Sequence, residues 1–84
     1  MNKQEIIEKL KNIVKPYIKN QDAFDKLTES TDFINDLQIN SANLVDVILD
    51  IEEEFDIEID NQSMERMLDV KSAIDIIETK LSEK

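Results

Sequence analysis

The chain has 84 residues, carries 20 acidic side chains against 10 basic ones, and has a formal net charge of −10. It contains no Cys, His, Gly or Trp. That excludes disulfides, thiolate nucleophiles, Ser–His–Asp triads, Cys or His metal ligands and glycine-rich phosphate loops. The acidity argues against nucleic acid, whose phosphates need Lys and Arg, and points to basic partners reached by electrostatic steering.

In chain order, Ile6, Ile7, Leu10, Ile13, Val14, Tyr17 and Ile18 recur at helical spacing and predict a first helix with one apolar face. Asn2, with Glu5 three residues on, forms a capping pair. Pro16 lacks a backbone donor and kinks or stops this helix. Lys11, Lys15 and Lys19 suit a helix C-terminus.

Residues 20–40 read as a long ordered loop with a short helical turn near 22–27. Asp22, Asp25, Thr28, Ser30, Thr31, Asp32 and Asn35 favour turns and caps there. Phe24, Leu27, Phe33, Ile34, Leu37 and Ile39 are its apolar pins. A second helix opens at Ser41 behind an Asn40 cap, with Leu44, Val47, Ile48, Ile51 and Phe55 as its core stripe. Ile57 and Ile59 alternate with charges over too few residues to make a sheet. A short helix is expected around 61–68, with Met64, Met67 and Leu68 apolar. Asp69 then caps a last helix bearing Val70, Ala73, Ile74, Ile77 and Leu81 on one face.

The expected fold is all-α: a four-helix bundle of three longer helices and one short one, with a long loop between helices one and two, in a single domain spanning 1–84. No apolar run is long enough to span a membrane, and the N-terminus lacks the apolar stretch of a signal peptide. These features point to a cytoplasmic protein.

Charge is unevenly distributed. Residues 29–69 hold thirteen acids and a single base, Arg66, whereas 1–28 balance at +2 and 70–84 at zero. On a helical wheel with Leu44 at zero, Val45, Leu49 and Ala42 fall between about 100° and 160°, outside the core arc. Glu52 flanks them on one side, and Glu53, Asp46 and Asp50 on the other. Either neighbouring helices cover this apolar strip, or it is a docking face with an acidic rim that meets Lys and Arg.

Ser41 is the first helical residue after the long loop. A helix N-terminus offers free N–H groups and a partial positive charge, so a phosphate attached there is stabilised. Taken alone, a serine in this position is ordinarily part of a cap.

The stretch Asp36-Leu37-Gln38-Ile39-Asn40-Ser41-Ala42 resembles the Asp-Leu-Gly-x-Asp-Ser-Leu motif that opens the second helix of acyl carrier proteins. Glu52, Glu53, Glu54 and Phe55 match the run that ends that helix, at the family's distance from the serine. Phe33 and Asp36-Leu37 match upstream, and Val70 to Ile77 resembles the last helix, so the resemblance covers nearly the whole chain.

The resemblance implies a non-enzymatic carrier. Ser41 would bear a 4′-phosphopantetheine group from coenzyme A, and acyl intermediates would be held on that arm as thioesters. The pathway would be fatty-acid or specialised lipid or polyketide-type biosynthesis. A phosphopantetheinyl transferase, using coenzyme A and Mg²⁺, would install the group. Val45, Asp46, Leu49, Asp50 and Glu53 match positions that partner enzymes read, and Asn40 and Ala42 flank the serine. The implied partners are acyl-transferring, ketosynthase-type or ligase enzymes with basic docking patches, and the carrier would be a monomer.

Three positions depart from the family pattern. Asn40 replaces Asp, which keeps the cap but removes a charge beside the serine. Ala42 replaces Leu, which reduces the apolar contact beside the arm. Gln38 replaces Gly, so a positive φ there would cost about 1 kcal/mol or more.

The competing expectation is a carrier-like interaction module that has lost the arm and docks through Val45 and Leu49. Asp56, Glu58 and Asp60 alternate as in a calcium loop. However, Asn61 replaces the Gly of such a loop and Met67 its bidentate Glu, so no metal site is expected.

Overall fold

Among the described residues five helices form, and the side chain of an Asn or Asp opens each. The computed structural model describes residues 2–83. Asn2 Oδ1 accepts from Glu5 N at 2.8 Å and starts α1, Lys3–Val14. Asn20 starts α2, Gln21–Asp25, and Asn40 starts α3, Ser41–Phe55. Asp60 Oδ1 accepts from Ser63 N at 2.7 Å and starts α4, Asn61–Arg66. Asp69 Oδ1 accepts from Ser72 N at 2.8 Å and starts α5, Val70–Ser82. Each cap satisfies an N–H that the helix itself cannot, worth about 1 kcal/mol. The bond from Ser63 also holds the Asp60 carboxyl below its ordinary range.

The all-α architecture is the expected one, with α1, α3 and α5 as the longer helices and α4 as the short one. The helical turn anticipated within the first loop is α2. Pro16 ends α1 rather than kinking it. The last ladder bond is made by Lys15 N to Lys11 O, and the chain then turns, with Tyr17 N and Ile18 N both bonding Val14 O. At the other end of the fold, α3 stops where Asp56 takes a left-handed conformation, φ 54°, which a short polar side chain tolerates.

The core is built by the apolar faces read from the periodicity. Ile6, Leu10 and Val14 of α1 meet Leu44, Val47, Ile48, Ile51 and Phe55 of α3 and Val70, Ala73, Ile74 and Ile77 of α5, all buried. Ile76 is also buried, so α5 covers more of itself than a single stripe. Helix α1 packs on both α3 and α5, and α4 packs on α5. Ile57 and Ile59 insert into this core from an extended segment that makes no strand.

The loop of residues 28–40 delivers the chain to Ser41. Its backbone groups are satisfied by a few long-range bonds. Phe33 N donates to Leu68 O at 3.0 Å, Val70 N to Thr31 O at 2.9 Å and Lys71 N to Glu29 O at 2.9 Å. Asp32 and Asp69 thus form an isolated antiparallel bridge. Within the loop, Asp32 Oδ1 accepts from Ile34 N and Asn35 N, and Asp36 Oδ2 accepts from Asp32 N, all at 2.8 Å. These are the local side-chain bonds that Asp makes well in turns. Phe33, Leu37 and Ile39 anchor the loop in the core, whereas Ile34 stands out of it at 37% exposure.

Candidate functional site

Ser41 is exposed at the first position of a 15-residue helix. Its surroundings follow from Asn40. The Asn40 side chain accepts from Ala42 N at 2.8 Å, and its carbonyl accepts from Leu44 N at 3.0 Å. The amides of Ser41 and Asn43 make no bond to another described residue. The end of α3 therefore combines a hydroxyl, free N–H donors and the positive end of the helix dipole. That donor set suits a phosphate ester on the hydroxyl.

The approach to Ser41 is held from both sides. Ile39 N donates to Phe33 O at 3.0 Å, and Lys19 N donates to Leu37 O at 3.0 Å. Between these two bonds Gln38 adopts φ 59°. A side chain with a Cβ is strained in this region, whereas glycine is not. Gln38→Gly is therefore expected to raise stability by about 0.5–1 kcal/mol, with some of the gain cancelled by the greater freedom of glycine in the unfolded chain. A urea titration followed by helicity measures it; an unchanged or lower midpoint would count against strain at this turn.

The apolar strip on α3 is uncovered. Val45 and Leu49 are 46% and 51% exposed, and Ala42 is exposed beside Ser41. Asp46 and Glu53 are exposed on the same helix. The helix thus presents a small apolar centre with carboxylates along one edge, close to the serine.

Two carboxylates behave differently from the wheel. Glu52 does not edge the strip: its Oε2 accepts from Ile59 N at 2.7 Å, because the extended segment after α3 needs an acceptor there. Asp50 is half-buried and accepts a hydrogen bond from the Tyr17 hydroxyl at 3.1 Å. Glu54, the third acid of the run, pairs with Lys9 at 3.0 Å. The sequence places Tyr17 in the stripe of helix one; instead it lies beyond α1, where its ring packs on the core and its hydroxyl reaches α3. Only the end of α1 at Val14 reveals this, and the periodicity runs straight through it.

Leu68, counted among the apolar residues of the short helix, lies outside α4 and is 51% exposed, while Met67 beside it is buried. Among the described residues, no group of three or more acidic side chains is placed to hold a metal ion. No described helix is long and apolar enough to cross a membrane.

Comparison with known proteins agrees with this geometry. No protein-family model matches the chain. It is 33% identical over 81 residues to the acyl carrier protein of Coprothermobacter proteolyticus, covering 96% of each chain. It is 37% identical over 84 aligned residues to the acyl carrier protein of Guillardia theta, covering 98% of this chain and 99% of that one. Its fold is similar to the crystal structure of an acyl carrier protein from Thermotoga maritima, with a TM-score of 0.76, 24% identity, and coverage of 95% of this chain and 91% of that one.

Proposed function

Because the chain belongs to the acyl carrier protein family, we propose that Ser41 is the attachment point of a 4′-phosphopantetheine group drawn from coenzyme A. The protein then presents acyl groups to other enzymes and catalyses no reaction itself. The observation that carries this reading is the position of Ser41: exposed, first in α3, and next to an uncovered apolar strip on the same helix.

Each neighbouring residue has a physical role in this reading. Ser41 Oγ supplies the ester oxygen. The open amides and dipole at the start of α3 stabilise the phosphate charge. Asn40 fixes the helix start through its cap and adds no second negative charge beside that phosphate. When attached, the group supplies the thiol that this Cys-free chain lacks, and acyl groups are held on it as thioesters.

Val45, Leu49 and Ala42 form the apolar centre that partner enzymes bury, and Asp46, Asp50 and Glu53 meet their Lys and Arg side chains. A phosphopantetheinyl transferase comes first among these partners. Acyl-transferring, ketosynthase-type or ligase enzymes follow, in fatty-acid or specialised lipid or polyketide-type biosynthesis. With its net charge of −10, the chain repels its own copies and attracts basic surfaces, which fits a monomeric carrier.

The experiment is intact-mass measurement after incubation with coenzyme A, Mg²⁺ and a broad-specificity phosphopantetheinyl transferase, followed by peptide mapping. The expected result is a gain of one phosphopantetheine, located on Ser41. A folded, helical sample that gains nothing would leave a docking module without an arm.

A further inference from the structure

The acidic edge of α3 is met by a residue from a distant part of the chain. Tyr17 lies in the turn after α1, and its hydroxyl donates to Asp50 Oδ2, 33 positions away, at 3.1 Å. That turn is fastened at both ends. Tyr17 N bonds Val14 O at 2.8 Å, and Lys19 N bonds Leu37 O at 3.0 Å. The ring of Tyr17 packs against the core. A short stiff turn and a packed ring leave the hydroxyl little freedom, so it fixes the carboxylate it holds.

Asp50 makes no ion pair among the described residues, although it is half-buried. Asp46 lies one helical turn earlier on α3 and is exposed. Side chains at this spacing share a face, with their Cβ atoms about 5–6 Å apart. The hydroxyl feels both groups: its pKa is raised by the bond to Asp50, then by burial, then by the charges of Asp50 and Asp46. It therefore stays protonated at neutral pH and continues to donate.

We propose that Tyr17 is a positioning residue of the docking face, holding the Asp50 carboxylate beside Asp46 so that the two seat one arginine side chain of the partner enzyme. A planar guanidinium presents several N–H donors in a fixed fork and can engage two neighbouring carboxylates, which a point-like ammonium does less well. Fixing one carboxylate in advance removes part of the ordering cost of association. The docking face is then composite, formed by α3 and the turn after α1. This inference rests on the carrier reading.

The test is a double-mutant cycle read by the kinetics of a broad-specificity phosphopantetheinyl transferase with coenzyme A, on wild type, Tyr17→Phe, Asp50→Asn and the double variant. Tyr17→Phe keeps the packed ring and removes only the hydroxyl, and circular dichroism checks its fold. The expected result is a fall in kcat/KM of about three- to tenfold for Tyr17→Phe, all of it in KM. Asp50→Asn lowers kcat/KM at least as much, and adding Tyr17→Phe to it costs nothing further.

An unchanged KM in Tyr17→Phe overturns the inference. So does an equal loss in the Asp50→Asn background, or an effect confined to kcat. A wild-type chain that is never modified removes the carrier reading and this inference with it; a modified wild type with an indifferent Tyr17→Phe removes the inference alone.

Discussion

Ser41→Ala is expected to abolish phosphopantetheine transfer completely while leaving the fold as it is. The two effects separate because Asn40, not Ser41, caps α3. Its side chain and carbonyl hold Ala42 N and Leu44 N, and both bonds survive the substitution. Alanine is also the better helix former. The unfolding midpoint should therefore stay within about 0.5 kcal/mol of wild type, as for surface changes away from any special feature.

The other serines offer no substitute. Ser63 and Ser72 are third in their helices, half-buried and donating backbone N–H to the caps Asp60 and Asp69. Ser30 sits in the loop and Ser82 at the last position of α5, both away from any helix start. Intact mass and circular dichroism, measured side by side on wild type and Ser41→Ala, decide the matter. Modification of the alanine variant would move the site elsewhere. Loss of helicity would show that Ser41 supports the fold.

Phe33→Ala should have the largest effect on stability, about 3–5 kcal/mol. The ring is 1% exposed, and the backbone of the same residue bonds both Leu68 and Ile39. Removing the ring leaves a cavity in the core where the loop is anchored. Small domains have only about 5–15 kcal/mol in total, and this one has no disulfide to limit the loss. A thermal melt followed by helicity should fall by about 15–30 °C. Ile34→Ala, one residue on but 37% exposed, is the control and should cost far less. Equal costs at the two positions would mean that the loop is not anchored through Phe33.

The helical faces, the caps Asn2, Asn40 and Asp69 and the start of α3 at Ser41 were readable from the sequence, whereas the caps Asn20 and Asp60 emerge only in the structure. The readable signals are local: apolar side chains three and four positions apart, and Asn or Asp at a helix start. The turn geometry was partly readable. Gln38 stands where the family pattern has glycine, and it adopts the positive φ that is costly for a residue with a Cβ.

Other features depend on contacts between distant residues, which no local pattern encodes. Tyr17 continues the spacing of α1 and is separated from it only because Pro16 ends the helix and the turn carries the ring towards Asp50. Glu52 looks like one more carboxylate on an acidic helix until the segment after α3 doubles back and brings Ile59 N to it. Ile34 and Leu68 are apolar yet exposed: the backbone bond from Phe33 N to Leu68 O ties the loop to the segment before α5, and the neighbours Phe33 and Met67 take the buried positions. The sequence leaves Val45 and Leu49 either covered by neighbouring helices or exposed, and in the fold they are exposed.

The bonds from Phe33, Thr31 and Glu29 to residues 68–71 also couple two stretches of the chain. The segment that leads into Ser41 is completed by chain that lies some thirty to forty positions downstream. Contacts of such separation carry a loop-closure cost that must be met before they contribute. These bonds enclose the whole of α3 and α4, so the loop that leads into Ser41 and the start of α5 support each other across the chain. Under the proposed function, a transferase that reads the finished surface would favour chains in which these bonds have closed.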